Sequence, residues 1–266
     1  MRAKKNVSLS YKIQVLDRAL DVLDSFTFEN REMSLTEVVQ KTGLNKTTVK
    51  RLLYNLTRRK YLQQDLKTRK YKLGLRLFEL GGVVFSSFSL RKTASYYMEH
   101  FKEQTGSTIL LGTTMENQLI YLDKREGNGM VRISSEIGWR RPLNYGMLGM
   151  VLLAYRNIDY VKMILREYPL KAYTPNSIIK ETVFLNRLEK IRKQGYVIET
   201  GEAVEGVIGI AAPIRNHLNK VIAALGIALP ISKASSKEVV DHLAKQLKSS
   251  CEEISANIGF KKIGVI

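Results

Sequence analysis

The sequence contains almost none of the residues that build disulfide or zinc sites. Its 266 residues include one cysteine, Cys251, and three histidines, His100, His217 and His242. One cysteine cannot close an intrachain disulfide, and three separated histidines do not form the Cys/His cluster of a zinc site. These absences exclude a disulfide scaffold and a zinc finger, and we expect neither a metal nor another cofactor.

Long apolar runs are also missing. The longest uninterrupted apolar stretches, such as residues 221–229, reach about half the length of a membrane-spanning helix. Residues 1–23 lack the apolar block of a signal peptide. We therefore expect a cytoplasmic protein that has no membrane partner.

The strong local signatures of enzymes are absent from the sequence. It contains no Gly-x-x-x-x-Gly-Lys loop, no Gly-x-Ser-x-Gly elbow and no His-Glu-x-x-His motif. Glu199, Glu202 and Glu205 form a small acidic cluster, which fits acid–base chemistry, a bound cation or a solvated loop. We assign no catalytic residue and expect a protein that is not an enzyme.

Positive charge, in contrast, is abundant and concentrated. The chain has 43 Lys and Arg against 25 Asp and Glu, a formal net charge of +18. Residues 41–72 alone hold eleven Lys or Arg and a single acid, Asp65. A solvated surface usually mixes the two signs, so this segment favours a polyanionic partner, and nucleic acid is the first to consider.

The same segment has the pattern of a helix-turn-helix. Apolar residues at helical spacing predict a first helix over residues 11–27. Ser34 and Glu37 have the spacing of a capping box that starts a second helix, and Gly43 provides the residue that ends it. Asn45 caps a third helix. Two short helices joined by a glycine turn are typical of a DNA reader whose second helix enters the major groove.

The outer face of the third helix and a following hairpin supply the candidate DNA contacts. Val49, Leu52, Leu53 and Leu56 recur at i, i+3, i+4 and i+7, so they face the core and leave the basic residues outside. Two strand-like runs then flank a basic tip, as in a wing that contacts phosphate or the minor groove. The predicted DNA-binding residues are Lys46, Thr47, Thr48, Lys50, Arg51, Lys67, Arg69 and Lys70. The alternative is a small helical domain whose basic face binds nothing in particular.

The rest of the chain alternates short apolar runs with helical segments. An apolar stripe from Leu90 to Phe101 predicts a linker helix that packs on its own domain or on a second copy. Strand-like runs follow from Ser107, and two nearly continuous apolar runs predict strands buried on both faces. We predict an α+β protein with a DNA-binding domain at 1–73, a linker segment at 74–104, and an α+β domain of sensor type at 105–266.

Several segments together resemble one family. They are Leu16-Asp-Arg-Ala-Leu20, Ser34-Leu-Thr-Glu37, Gly43-Leu-Asn-Lys-Thr-Thr-Val-Lys-Arg-Leu-Leu53, Arg140-Arg-Pro-Leu143 and Ile210-Ala-Ala-Pro213. The chain resembles the IclR family of prokaryotic transcriptional regulators over nearly residues 11–260. The resemblance implies an N-terminal winged helix-turn-helix that reads DNA. It also implies a C-terminal domain of GAF-like fold, an antiparallel sheet flanked by helices, that binds a small effector.

The resemblance also implies where an effector lies, over the sheet and against the start of the helix that follows Arg-x-Pro-Leu. Position by position, it implicates Ile133, Met147, Leu148, Glu199, Gly209, Gly226 and Ala228. Gly209 stands where many members have cysteine, and Gly226 and Ala228 stand where serines hold a carboxylate. Loss of those donors predicts a bulkier or more apolar ligand than glyoxylate, with Glu199 available for a hydroxyl or a cation.

We therefore expect a ligand-responsive transcriptional regulator, more often a repressor in this family, that controls a catabolic operon. It would bind a palindromic operator as a homodimer or homotetramer. One alternative is an RNA-binding or RNA-modifying protein with a basic N-terminal head. Another is a metabolite-binding module without DNA function, and a third is a vestigial pocket in a domain that only oligomerises.

Overall fold

The computed structural model describes residues 13–87, 89–128 and 135–259. The chain divides after Ser87 into two compact units, each with its own core. Predicted strand residues 130–134 lie outside the described residues. Within the described ranges, no helix is both long enough and apolar enough to cross a membrane.

The first unit contains four helices and a small antiparallel sheet within the residues described. The elements are α1 (Gln14–Asp24), β1 (Glu32–Met33), α2 (Leu35–Thr42), α3 (Lys46–Arg58), β2 (Leu62–Gln64), β3 (Tyr71–Leu73) and α4 (Leu75–Ser87). The strand order is β1-β3-β2, so β3 pairs with both neighbours. This is the predicted arrangement of a helix-turn-helix followed by a hairpin.

Local polar contacts define the helix-turn-helix. Ser34 Oγ accepts from the Glu37 amide at 3.3 Å, and the Glu37 carboxylate accepts from the Ser34 amide at 2.7 Å. Both halves of the predicted capping box are therefore present. Gly43 ends α2 with a φ of 67°, and Asn45 Oδ1 accepts from the Thr48 amide at 2.8 Å to start α3.

The core of the first unit fixes which face of α3 points outward. Val49, Leu52 and Leu53 of α3 are buried, as the spacing predicts, and they pack with Val22 of α1 and Val38 of α2. Leu56 at the next helical position is only partly buried. The polar residues of α3 are therefore held on the opposite face.

The second unit is a six-stranded antiparallel sheet with helices on both faces. Its elements are α5 (Ser89–Thr105), β4 (Thr108–Met115), β5 (Gln118–Arg125), β6 (Arg140–Pro142), α6 (Gly146–Ala154), α7 (Ile158–Glu167), α8 (Glu181–Gln194), β7 (Val197–Thr200), β8 (Val207–Arg215), β9 (Val221–Pro230) and α9 (Lys237–Asn257). A short 3-10 turn, Ile231–Lys233, precedes α9. The strand order is β6-β5-β4-β9-β8-β7, which agrees with the predicted α+β class.

The adjacent strands β8 and β9 carry residues of different size on their two faces. Ile208, Ile210 and Ile214 of β8 and Leu225 and Ile227 of β9 face the core formed with α5 and α9. Small residues face the other core, which is formed with α6, α7 and α8; they include Ala211 of β8 and Ala224 and Ala228 of β9. Every residue from Met147 to Ala154 in α6 is buried on this side.

The predicted linker segment contains two helices. Residues of this segment belong to α4 in the first unit and to α5 in the second. Leu90, Ala94, Met98 and Phe101 of α5 are buried in the core of the second unit, as the apolar stripe predicts. Leu75 and Phe78 of α4 are instead largely exposed.

We predict that Leu53→Ala destabilises the first unit by about 2–5 kcal/mol, because the side chain is fully buried in a small core. The matched control is Leu66→Ala, whose side chain is 84% exposed and whose loss should change stability by less than about 0.5 kcal/mol. Urea unfolding followed by far-UV circular dichroism measures both. Equal stabilities of the two variants would contradict the described core.

Candidate functional site

The exposed face of α3 is basic and polar. Lys46, Thr47, Lys50 and Arg51 are exposed on it, and Thr48 is half-buried, with its amide donating to the cap residue Asn45. Tyr54 lies one turn beyond Lys50 and Arg51 and is 68% exposed. Tyr54 is not among the residues predicted from the sequence, although its i+3 and i+4 spacing from Arg51 and Lys50 is a usable signal.

The predicted wing is present as β2, β3 and the turn between them, residues 65–70. Asp65 Oδ1 accepts from the amides of Lys67 and Thr68 at 2.8 and 2.7 Å. These two bonds hold the pKa of Asp65 below its usual value. The one acid of this basic segment therefore organises the turn.

The turn presents its basic residues outward. Gln64 Nε2 donates to the Arg69 carbonyl at 2.9 Å, and Arg69 has a left-handed backbone with a φ of 59°. Lys67 and Arg69 are exposed, and Lys70 is half-buried. Together with the basic residues of α3, they give the first unit two cationic elements that suit contacts with phosphate and with base edges.

The second unit contains a cavity of about 270 Å³ between the start of α6 and the sheet, which we call the sheet cavity. Strands β4, β5, β6, β7, β8 and β9 contribute to it, together with the loop after β7. Its lining is Leu110, Leu119, Tyr121, Arg141, Tyr145, Gly146, Met147, Leu148, Glu199, Ala203, Val204, Val207, Gly209 and Ala228. Most of this surface is apolar, and the exceptions are two tyrosines, one arginine and one glutamate.

Five of the seven predicted effector residues lie on the sheet cavity. They are Met147, Leu148, Glu199, Gly209 and Ala228. Gly226 does not line it, contrary to expectation, because a Cβ there would meet Met147 Cε at 2.8 Å and Leu148 Cδ2 at 2.9 Å. The two side chains of α6 cover it. Ile133 lies outside the described residues.

Glu199 is the buried acid of the sheet cavity, with 4% of its surface exposed. Its Oε2 accepts from the amides of Glu202 and Ala203 at 2.9 and 3.3 Å. Burial raises the pKa of Glu199 to about 7, despite the opposing effect of the two amides. Glu202 adds to the rise, while Arg187, which pairs with Glu202 at 2.8 Å, opposes it.

Gly209 provides the space that Glu199 occupies. The two residues are cross-strand partners in the β7–β8 ladder. A Cβ on residue 209 would lie 2.7 Å from Glu199 Oε1 and 2.9 Å from Cγ. In the cavity wall, the Glu199 carboxyl group therefore occupies the position that the side chain of a larger residue at 209 would fill.

Three polar residues of the sheet cavity, Tyr121, Arg141 and Tyr145, are not among those predicted from the sequence. The Arg141 guanidinium lies 4.6 Å from the ring centre of Trp139 and 5.4 Å from that of Tyr145, within the range of cation–π contacts. Burial raises the pKa of Tyr121 to about 12. The usable signal was the alternation of side chains along β6, which directs one of two adjacent arginines to the cavity.

The remaining acidic and sulfur groups do not form a second reactive site. Glu202 pairs with Arg187 and Glu205 is exposed. Cys251 is buried among apolar residues of α9 and the sheet, and burial raises the pKa of its thiol. In the described part of the chain, no group of three or more His, Cys, Asp or Glu is placed to hold a metal ion.

Two family models match the chain. The model described as "Bacterial transcriptional regulator IclR C-terminal" matches residues 83–256, and the model described as "IclR helix-turn-helix domain" matches residues 15–66. The HTH-type transcriptional regulator KdgR of Escherichia coli (strain K12) is 34% identical over 232 residues, which make up 87% of this chain and 88% of KdgR.

Solved structures give the same result. A crystal structure of an IclR transcriptional regulator from Alicyclobacillus acidocaldarius has a TM-score of 0.82 and 31% identity, and the match covers 94% of this chain and 100% of that chain. An IclR homologue from Microbacterium hydrocarbonoxydans, complexed with 4-hydroxybenzoate, has a TM-score of 0.80 at 22% identity, covering 92% and 99% of the two chains. This second likeness supports the fold.

We predict that Glu199 makes the stability of the second unit depend on pH. Its pKa of about 7 in the folded state lies above the ordinary value of 4.5. The stabilisation by the neutral carboxyl is therefore complete below pH 4.5 and is lost as the pH rises through 7, a change on the order of 3 kcal/mol. Glu199→Gln keeps an acceptor for the two amides and should remove this dependence.

The measurement is urea unfolding between pH 5 and 8.5, followed by the fluorescence of Trp139, the one tryptophan of the chain. The matched control is Glu205→Gln, which changes an exposed carboxylate of the same loop. If wild type and Glu199→Gln change in parallel across this pH range, the carboxyl is ionised throughout and the described environment is wrong.

Proposed function

Because the chain belongs to the IclR family of bacterial transcriptional regulators, we propose that it represses a catabolic operon by binding a palindromic operator as a homo-oligomer. A small metabolite bound in the sheet cavity would control this binding. Family membership confirms the expected resemblance, the fold class, and a DNA-binding, ligand-responsive role. The relatives of this chain are transcriptional regulators, so the alternative of an RNA-modifying enzyme is wrong.

The basic face of α3 is the observation that carries the DNA-binding proposal. Thr47, Lys50 and Arg51 lie at the amino half of a helix whose other face is fixed by the core. In a helix-turn-helix, this end of the recognition helix enters the major groove. We propose that these residues contact base edges, while the wing residues Lys67 and Arg69 contact phosphate or the minor groove.

Exposed apolar residues support pairing of two copies. They lie at or near α1 and along α4. The residues are Ile13, Val15, Leu16, Leu20, Leu75, Phe78, Leu80 and Val83. Exposed apolar side chains in this number suit a protein interface. We propose that residues 1–73 read DNA, residues 74–104 join and pair the subunits, and residues 105–266 bind the effector. A two-fold pair of heads requires a palindromic operator.

The sheet cavity supports a specific chemistry for the effector. Arg141 suits an anionic or strongly accepting group, Glu199 suits a hydroxyl or a cation, and Leu110 and Leu119 suit an apolar body. A volume of about 270 Å³ exceeds what a two-carbon acid such as glyoxylate fills. We propose a larger hydroxylated acid, which shifts the population of subunit arrangements that differ in operator affinity.

Selection from a random duplex library tests the proposed function. The full chain is incubated with the library in about 0.15 M salt, where nonspecific binding is weak, and bound duplexes are sequenced. Enrichment of a palindrome with half-sites one or two helical turns apart supports the proposal. Binding without any enriched motif, or a preference for single-stranded RNA, contradicts it and favours the RNA-binding alternative.

We predict that Arg51→Ala lowers affinity for the selected duplex by about 1–3 kcal/mol and relaxes the preference at one base pair, because a base contact is lost. Arg58→Ala is the control, since Arg58 is exposed at the carboxyl end of the same helix. It should weaken all duplexes equally or not at all. Fluorescence anisotropy with matched and mutated duplexes measures both. Unchanged affinity of the Arg51 variant would show that Arg51 does not contact the duplex.

We also predict that Met147→Arg preserves duplex binding and abolishes the response to the effector, because the new side chain fills the sheet cavity. Met163→Arg is the control, since Met163 is 40% exposed on α7. Effectors are found by thermal shift with a library of organic acids. Circular dichroism checks folding, and Met147→Ala enlarges the same cavity if the arginine unfolds the unit. A normal response in the folded Met147 variants would place the effector elsewhere.

A further inference from the structure

A second cavity lies at the opposite end of α6 from the sheet cavity. Its volume is about 210 Å³, and we call it the basic cavity. Tyr155 at the end of α6, Arg192 and Lys193 of α8, Arg215 of β8, and Lys248 of α9 all line it. Nothing in the proposed regulatory function uses these residues.

The charge of the basic cavity is strongly positive. Its lining contains four cationic side chains and one acid, Glu252. Lys193 pairs with Glu189 at 2.7 Å. Arg192, Arg215 and Lys248 form no ion pair with any described residue. Three cations therefore converge on one concave site, an arrangement that an anion would stabilise.

Contacts with neutral groups hold two of these cations in place. Arg192 Nε donates to the Ala154 carbonyl at 2.7 Å, and Lys248 Nζ donates to the Gln194 carbonyl at 3.0 Å. Both acceptors are backbone carbonyls at helix ends, which need a donor. A carbonyl orients a cation but does not neutralise its charge, so each retains its charge and further N–H groups for a ligand.

The third cation is fixed by an aromatic ring. The Arg215 guanidinium lies 4.5 Å from the ring centre of Tyr155, and its Nη1 donates to the Asn219 carbonyl at 3.1 Å. Arg215 is therefore oriented before any ligand binds. Preorganised donors lose little side-chain entropy when a ligand binds, and this smaller entropy cost favours affinity for a small ligand.

We propose that the basic cavity binds the phosphate group of a small phosphorylated metabolite. A phosphate monoester carries close to two negative charges and three acceptor oxygens, which match three cations on α8, β8 and α9. A carboxylate offers one charge and two oxygens and leaves one cation without a partner. The site is separate from the sheet cavity, so the chain has room for two different small ligands.

Glycerol 3-phosphate is the probe, and isothermal titration calorimetry on the full chain is the measurement. We expect saturable binding that Lys248→Gln weakens at least about tenfold, because a hydrogen bond from a charged donor is lost. Lys248→Arg keeps the charge and should retain binding. Lys245→Gln is the matched control, since Lys245 is exposed on the same helix and does not line the cavity.

Three results would overturn the proposal. One is a dissociation constant that Lys248→Gln and Lys245→Gln change equally, with folding checked by circular dichroism. The second is acetate binding as tight as glycerol 3-phosphate at equal ionic strength, which would assign the cavity to carboxylates. The third is a Lys248→Gln variant that loses affinity for nonspecific duplex but not for glycerol 3-phosphate, which would assign it to the nucleic acid backbone.

Discussion

The alternation of small and large residues along the adjacent strands β8 and β9 determines the architecture of the second unit. On one face, isoleucine and leucine side chains of β8 and β9 form a thick core with α5 and α9. On the other face, Ala211, Gly226 and Ala228 give α6 room to pack closely, and Gly209 gives room to the Glu199 side chain. Where α6 begins, the small residues are no longer fully covered, and the sheet cavity forms there. A uniform row of large residues would fill it.

We propose that α6 is the element through which a ligand acts. The helix is buried from Met147 to Ala154, its start lines the sheet cavity, and the residue after its end lines the basic cavity. A packed helix cannot deform freely, so a ligand bound at either end would change the balance between discrete arrangements. The basic face of α3, which we propose reads DNA, belongs to a separate unit with its own core. Regulation therefore requires a coupling free energy between the two units.

Periodicity and local polar motifs made the first unit predictable from the sequence. The burial of Val49 and Leu53, the capping box at Ser34 and the turn at Gly43 depend on neighbours within a few residues. The cavity was less predictable, because its lining comes from six strands. Arg141 enters it only through the pairing of β6 with β5. Whether a glycine on β9 reaches the cavity depends on how the side chains of α6 pack above it, which no sequence pattern encodes.

The reciprocity of DNA and effector binding tests the central claim, that one chain couples a DNA reader to a ligand sensor. The dissociation constant of an effector is measured by calorimetry with and without saturating operator duplex, and that of the duplex with and without saturating effector. We predict that the two dissociation constants change by the same factor, because linkage between two sites is thermodynamically symmetric. An effector that binds the free protein and the operator complex with equal affinity would contradict it.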